Sequence, residues 1–121
     1  MVRSTLALAA VLAVASTSLA ADLVTPGVQI GSNSGVDCRL VNITSAPLAT
    51  RIQLISGVEG KVLVDSGPIT VGAGSSSDFG ESILGIVYCR FVNTSKSKVR
   101  AALTAYSLSG DGSNTVVTEA H

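Results

Sequence analysis

The chain has 121 residues, with Lys+Arg 8 balanced by Asp+Glu 8, so its formal net charge at neutral pH is zero. That balance excludes a general electrostatic pull toward nucleic acid or an anionic membrane. The only histidine is His121 at the carboxyl terminus, so a Ser/His/Asp or Cys/His catalytic set has no internal base.

Met1-Val2-Arg3 followed by "STLALAAVLAVASTSLA" combines one positive charge, a short apolar stretch and small residues at Ser18 and Ala20. This pattern predicts a secretory signal peptide over 1–20, cut after Ala20. The stretch is too short and Ala-rich for a membrane span, which takes roughly 20 apolar residues. The expected product is a secreted or periplasmic single domain over 21–121, without membrane insertion. Loss of Arg3 leaves it with one more acid than base.

Beyond the leader, short runs rich in β-branched residues predict strands: "GVQI" (27–30), "VDCRLVNIT" (36–44), "LATRIQLIS" (48–56), "KVLVD" (61–65), "PITV" (68–71), "SILGIVYCRFVN" (82–93), "VRAALTAYSL" (99–108) and "NTVVT" (114–118). Between them lie "GSNSG", "SGVEG", "DSGP", "GAGSSSD" and "SGDGSN", all turn chemistry. Seven or eight short antiparallel strands at this spacing predict an all-β sandwich or barrel. The Ala content of 99–108 would suit a helix. Its place after "NTSKS" instead predicts a hairpin with the strand before it.

The phrase Cys-Arg-apolar-Val-Asn occurs twice, in "VDCRLVNIT" and "VYCRFVNTS", and holds the only cysteines, Cys38 and Cys89. The likeness extends at the same offset to Val36 and Val87, Ile52 and Leu103, Ser56 and Ser107. Either two core strands share a composition or the halves of a pseudo-symmetric sandwich arose by duplication. Two cysteines in an exported domain are expected to pair. Closing so long a loop is worth roughly 4 kcal/mol in the chain-entropy treatment. A redox centre would favour C-x-x-C spacing, and a metal site would need further ligands that the chain does not cluster. No metal and no cofactor is therefore expected.

This layout resembles an immunoglobulin-type sandwich, in which a disulfide joins an early and a late strand across the core. The resemblance rests on Cys38, Cys89 and the strand count. It departs from the antibody pattern in having no tryptophan and in placing Tyr88 directly before Cys89.

Alternation along the strands points the cysteines inward with Leu40 and Phe91. The same parity turns Tyr88, Arg90, Arg100, Thr104 and Tyr106 outward, extended by Arg51 and Gln53. These residues are expected to share one sheet face, and Tyr and Arg are the types enriched at binding hot spots. A second outward strip, Val41 with Ile43, is apolar enough for a covered face or an oligomer contact. Asn42 and Asn93 begin the glycosylation sequons "NIT" and "NTS", although hydrogen bonding to the following turn accounts for them more simply.

The acids Asp37, Glu59, Asp65, Asp78, Glu81, Asp111 and Glu119 are scattered beside turns, and no carboxylate pair is marked out for acid–base catalysis. "SGDGSN" could lend oxygens to calcium but lacks the spaced carboxylates of a dedicated loop. The expected function is that of an exported, non-enzymatic module acting through contact with an unknown protein partner or by self-association. The alternative is a small-ligand or carbohydrate-binding module. Sugar platforms need coplanar aromatics, and Phe79, Tyr88, Phe91 and Tyr106 are the only aromatic residues.

Overall fold

The computed structural model describes residues 21–107 and 116–121. The leader and "SGDGSN" lie outside the described residues. Among the described residues ten strands form: β1 (Leu23–Val24), β2 (Val28–Ile30), β3 (Ser34–Asn42), β4 (Leu48–Ser56), β5 (Val62–Asp65), β6 (Ile69–Val71), β7 (Ser76–Glu81), β8 (Gly85–Val92), β9 (Val99–Ser107) and β10 (Val116–Glu119). They make two antiparallel sheets packed face to face, a β-sandwich.

The first sheet is centred on β8 and β4. Both β1 and β2 pair with β8 on one flank, and β5 and β6 pair with β4 on the other. Pro26 and Gly27 interrupt the first flank. Thr25 spans the gap, its N–H donating to Cys89 O at 3.0 Å and its hydroxyl accepting from Cys89 N at 3.0 Å. The second sheet runs β10-β9-β3-β7.

A strand forms over Val99–Ser107, within the run expected, but its hairpin with the preceding strand does not. β8 pairs with β4 while β9 pairs with β3 and β10, so the connection 93–98 is an arch that changes sheets. The β3–β4 connection does the same. The two cysteine strands are thus equivalent, and each faces a leucine: Cys38 opposes Leu103, and Cys89 opposes Leu54. Ile52, which matches Leu103 at the offset of the repeated phrase, faces Phe91 instead.

Between the sheets, Cys38 and Cys89 form the disulfide, with Cα atoms 5.9 Å apart. Leu40, Ile52, Leu54, Val87, Phe91 and Leu103 are buried around it. Burying a large aliphatic or aromatic side chain is worth about 1.5–3 kcal/mol, so this layer is the main source of stability.

Two seams join the sheets at their borders. His121 N donates to Val24 O at 2.9 Å and Val24 N to His121 O at 3.2 Å, which ties the carboxyl terminus beside β10 to β1. At the opposite border Asn42 is fully buried. Its Nδ2 donates to Ala46 O, Val71 O and Gly72 O at 2.8, 3.0 and 3.2 Å. Its Oδ1 accepts from Thr44 N and Thr44 Oγ1 at 2.9 and 2.7 Å. Asn93 is exposed and has φ 60°, in the left-handed region. The repeated asparagines therefore do different work, one as a buried pin and one as a bend where the chain leaves β8.

Candidate functional site: the outer face of the second sheet

The outward residues expected to share one face are divided between two. Tyr88, Arg90, Arg51 and Gln53 lie on the outer side of the first sheet, because β8 and β4 are neighbours there. Arg100, Thr104 and Tyr106 lie on the outer side of the second, on β9. The sandwich core separates the two groups. Alternation assigns a side chain to a face of its own sheet but does not say which sheet a strand joins, and the arch at 93–98 decides that.

On the first sheet the polar side chains are bound to one another. Arg90 Nε donates to Gln53 Oε1 at 2.8 Å, and Gln53 Nε2 donates to Asp65 Oδ2 at 3.0 Å. Arg51 Nε lies 3.4 Å from Asp65 Oδ1, which also accepts Gly67 N–H at 2.8 Å. The Gln53 bond, the Gly67 bond and then the two arginines hold the Asp65 carboxyl below its ordinary range. Gln53 is buried. These contacts link Arg90, Gln53, Asp65 and Arg51 into one network centred on the Asp65 carboxylate.

The second sheet presents a different surface. Its strand register sets Tyr106 beside Gly35, Thr104 beside Asp37, Ala102 beside Arg39 and Arg100 beside Val41, with Val117 and Glu119 flanking on β10. A Cβ placed on Gly35 would come within 2.7 Å of Tyr106 Cζ, so the tyrosine ring covers the glycine backbone. Glycine is what lets the ring lie down, and the ring returns some of the packing that a glycine strand position lacks.

Charge is graded along this face. One end is acidic: Asp37, Asp78 and Glu81 line a shallow depression with Thr104 and Tyr106. Burial, and secondly repulsion from Asp78, raise the Asp37 carboxyl above its ordinary value, and Arg39 opposes them. Arg39 bridges to Asp78 at 3.3 Å and to Asp37 at 3.8 Å.

The other end is a groove of about 500 Å³. Val41, Ala102 and Val117 are its apolar residues on the outer face, Leu23 of β1 and Ala120 line it where it reaches the border between the sheets, and Arg39, Lys96, Arg100 and Glu119 bring charge to it. Ala102 helps to keep it open, since its short side chain stands between Arg39 on β3 and Glu119 on β10. Arg100 Nη1 donates to Lys96 O at 2.6 Å and to Val99 O at 3.2 Å, neutral acceptors that leave its charge uncompensated. Neither Lys96 nor Arg100 pairs with a carboxylate among the described residues.

Sequence reasoning named Arg100, Thr104 and Tyr106 but missed Arg39, Lys96, Ala102, Val117 and Glu119 as their companions. The parity of β3 does point Arg39 and Val41 outward. The missing information was that β9 lies between β3 and β10. Among the described residues, no three His, Cys, Asp or Glu side chains come together in a way that could hold a metal ion.

No family model and no curated protein matches the chain. Among solved structures, the fold is similar to that of Thermotoga maritima 1070, with a TM-score of 0.60 and 12% identity over 84% of this chain and 93% of that one. At that identity the likeness shows a shared β-sandwich fold and extends no further.

Proposed function

We propose that this chain is an exported, non-enzymatic β-sandwich module that acts through contact with a protein partner, and that the contact surface is the outer face of β10-β9-β3-β7. The observation that supports this reading is the contrast between the two outer faces. On the first sheet Arg51 and Arg90 are gathered around Asp65, Arg51 by an ion pair and Arg90 through Gln53. On the second, Lys96 and Arg100 stand without carboxylate partners beside exposed apolar Val117. Unspent charge around an apolar centre is the anatomy of a binding patch with a polar rim. The disulfide and the leader-like first 20 residues support export.

Affinity capture from the native extracellular or periplasmic fraction tests this with three baits. Wild type and a Tyr88→Ala/Arg90→Ala variant are expected to retain the same partner, and an Arg100→Glu/Ala102→Phe variant to lose it. Retention by the groove variant with loss in the first-sheet variant would place the contact on the wrong face. Intact mass supplies the second check. The exported chain should begin at Ala21, and its mass should rise by about two daltons on reduction.

A second reading, a small-ligand module, is favoured by the groove itself. Its volume falls within the roughly 300–1,000 Å³ of small-molecule sites. A sugar platform is less well supported, because Tyr88 and Tyr106 lie on opposite sides of the sandwich.

A further inference from the structure

The groove beside β10 combines two features that narrow what it can accept. Val41, Ala102 and Val117 offer apolar surface that gains by losing water. Val117 is 61% exposed, well above what a strand valine keeps when its face is covered. At the same place Lys96 and Arg100 carry positive charge that no described carboxylate offsets. Arg39 also lines the groove, but Asp78 and Asp37 already hold it.

The charge at the groove is therefore lopsided among the described residues: two cations without a carboxylate partner against one lining acid, Glu119, which stands across Ala102 on β10. A cationic ligand would meet like charge from Lys96 and Arg100. A purely polar anion would leave the apolar part wet. A neutral apolar ligand would leave the cations without a partner and partly stripped of water.

We propose that the groove binds a free amphipathic anion, a single carboxylate or phosphate head on a medium-length apolar chain. The head sits at Arg100 and Lys96, and the chain lies over Val41, Ala102 and Val117. Arg100 is already braced by its bonds to Lys96 O and Val99 O, so less side-chain freedom is lost when the head arrives. This rests on the reading of the groove as the working surface and adds the chemistry of its occupant.

The test uses the oxidised chain from Ala21 onward and four probes below their micelle concentrations: decanoate, decyl phosphate, decanol and decyltrimethylammonium. Binding is measured by calorimetry and mapped by amide chemical-shift changes. Decanoate or decyl phosphate is expected to shift Val41, Arg100, Ala102 and Val117, and their ratio shows which head is preferred. Decanol should bind at least about tenfold more weakly, the loss expected when a charge-assisted contact disappears. The ammonium probe should not bind.

Lys96→Gln/Arg100→Gln should reduce decanoate binding to the level of decanol. Ala102→Phe should abolish it with the melting temperature kept, and Val117→Gln serves if the phenylalanine does not fold. Equal binding of decanol and decanoate, or shifts confined to another part of the molecule, would overturn the proposal. If no anion binds while the groove variant still loses its protein partner, the amphiphile is wrong and the contact reading stands.

Discussion

At the scale of single residues, the two asparagines of the repeated phrase make opposite predictions. Asn42 uses all its hydrogen-bonding capacity in a buried site. Asn42→Ala is expected to cost about 2–4 kcal/mol in urea denaturation, because the buried carbonyl of Val71 and the part-buried one of Gly72 lose their donor. A glycan on the same nitrogen would be incompatible with this fold. Asn93 serves its backbone angle, φ 60°. Asn93→Gly should be nearly neutral and Asn93→Ala should cost about 1 kcal/mol.

The two displaced carboxyls predict opposite pH behaviour. Asp37 is raised by burial and then by Asp78, so its folded-state pKa lies above its unfolded value. Its contribution to stability is then fully present below the unfolded pKa and lost as pH rises through the folded one. Asp37→Asn should raise the melting temperature at neutral pH and give no gain in acid. Asp65 is lowered by its hydrogen bonds to Gln53 and Gly67 and by the nearby arginines. Its contribution is present above the unfolded pKa and lost as pH falls through the depressed one. Asp65→Asn should therefore lower the melting temperature at neutral pH, and the difference should vanish in acid.

At the scale of elements, the meeting of β3 and β9 is the most specific contact on the second sheet. Gly35→Ala places a methyl within 2.7 Å of the Tyr106 ring and is expected to cost about 1–3 kcal/mol through overpacking. Combining it with Tyr106→Ala should recover part of that loss. A double-mutant cycle in denaturant measures the coupling, and strictly additive costs would show that the ring does not rest on the glycine.

The same elements show how far periodicity reads. β4 forms over Leu48–Ser56, the span that its β-branched run predicts. β7 (Ser76–Glu81) was invisible, because an edge strand pairing only with β3 needs few apolar residues, and "SSDFGE" resembles turn chemistry. β1 escaped because two residues carry no period. The site was half legible. Parity turned Arg100, Thr104 and Tyr106 outward correctly, but Lys96 comes from an arch and Glu119 from a strand whose neighbour only the three-dimensional pairing reveals.

For the whole molecule, the sandwich and its bridge were legible in the sequence, while the assignment of strands to sheets was not. Pairing Cys38 with Cys89 required only their number and the expectation of export that the leader-like first 20 residues raise. Removing the bridge by Cys38→Ala/Cys89→Ala is expected to cost about 4 kcal/mol, less any strain the bond imposes, as read from the denaturation midpoint. The two arches carry a further consequence, for the order of events in folding. β3 and β4 are consecutive, yet neither pairs with the other; β3 waits for β9 and β4 waits for β8. Both central ladders join the first half of the chain to the second, so neither can form within the amino-terminal half alone. Such distant pairing folds slowly, because loop closure precedes any reward. A preformed Cys38–Cys89 bond brings β3 to β8 in advance, so the oxidised chain should refold faster than the reduced one in stopped-flow measurements. Equal rates would mean that the bridge closes after the rate-limiting step.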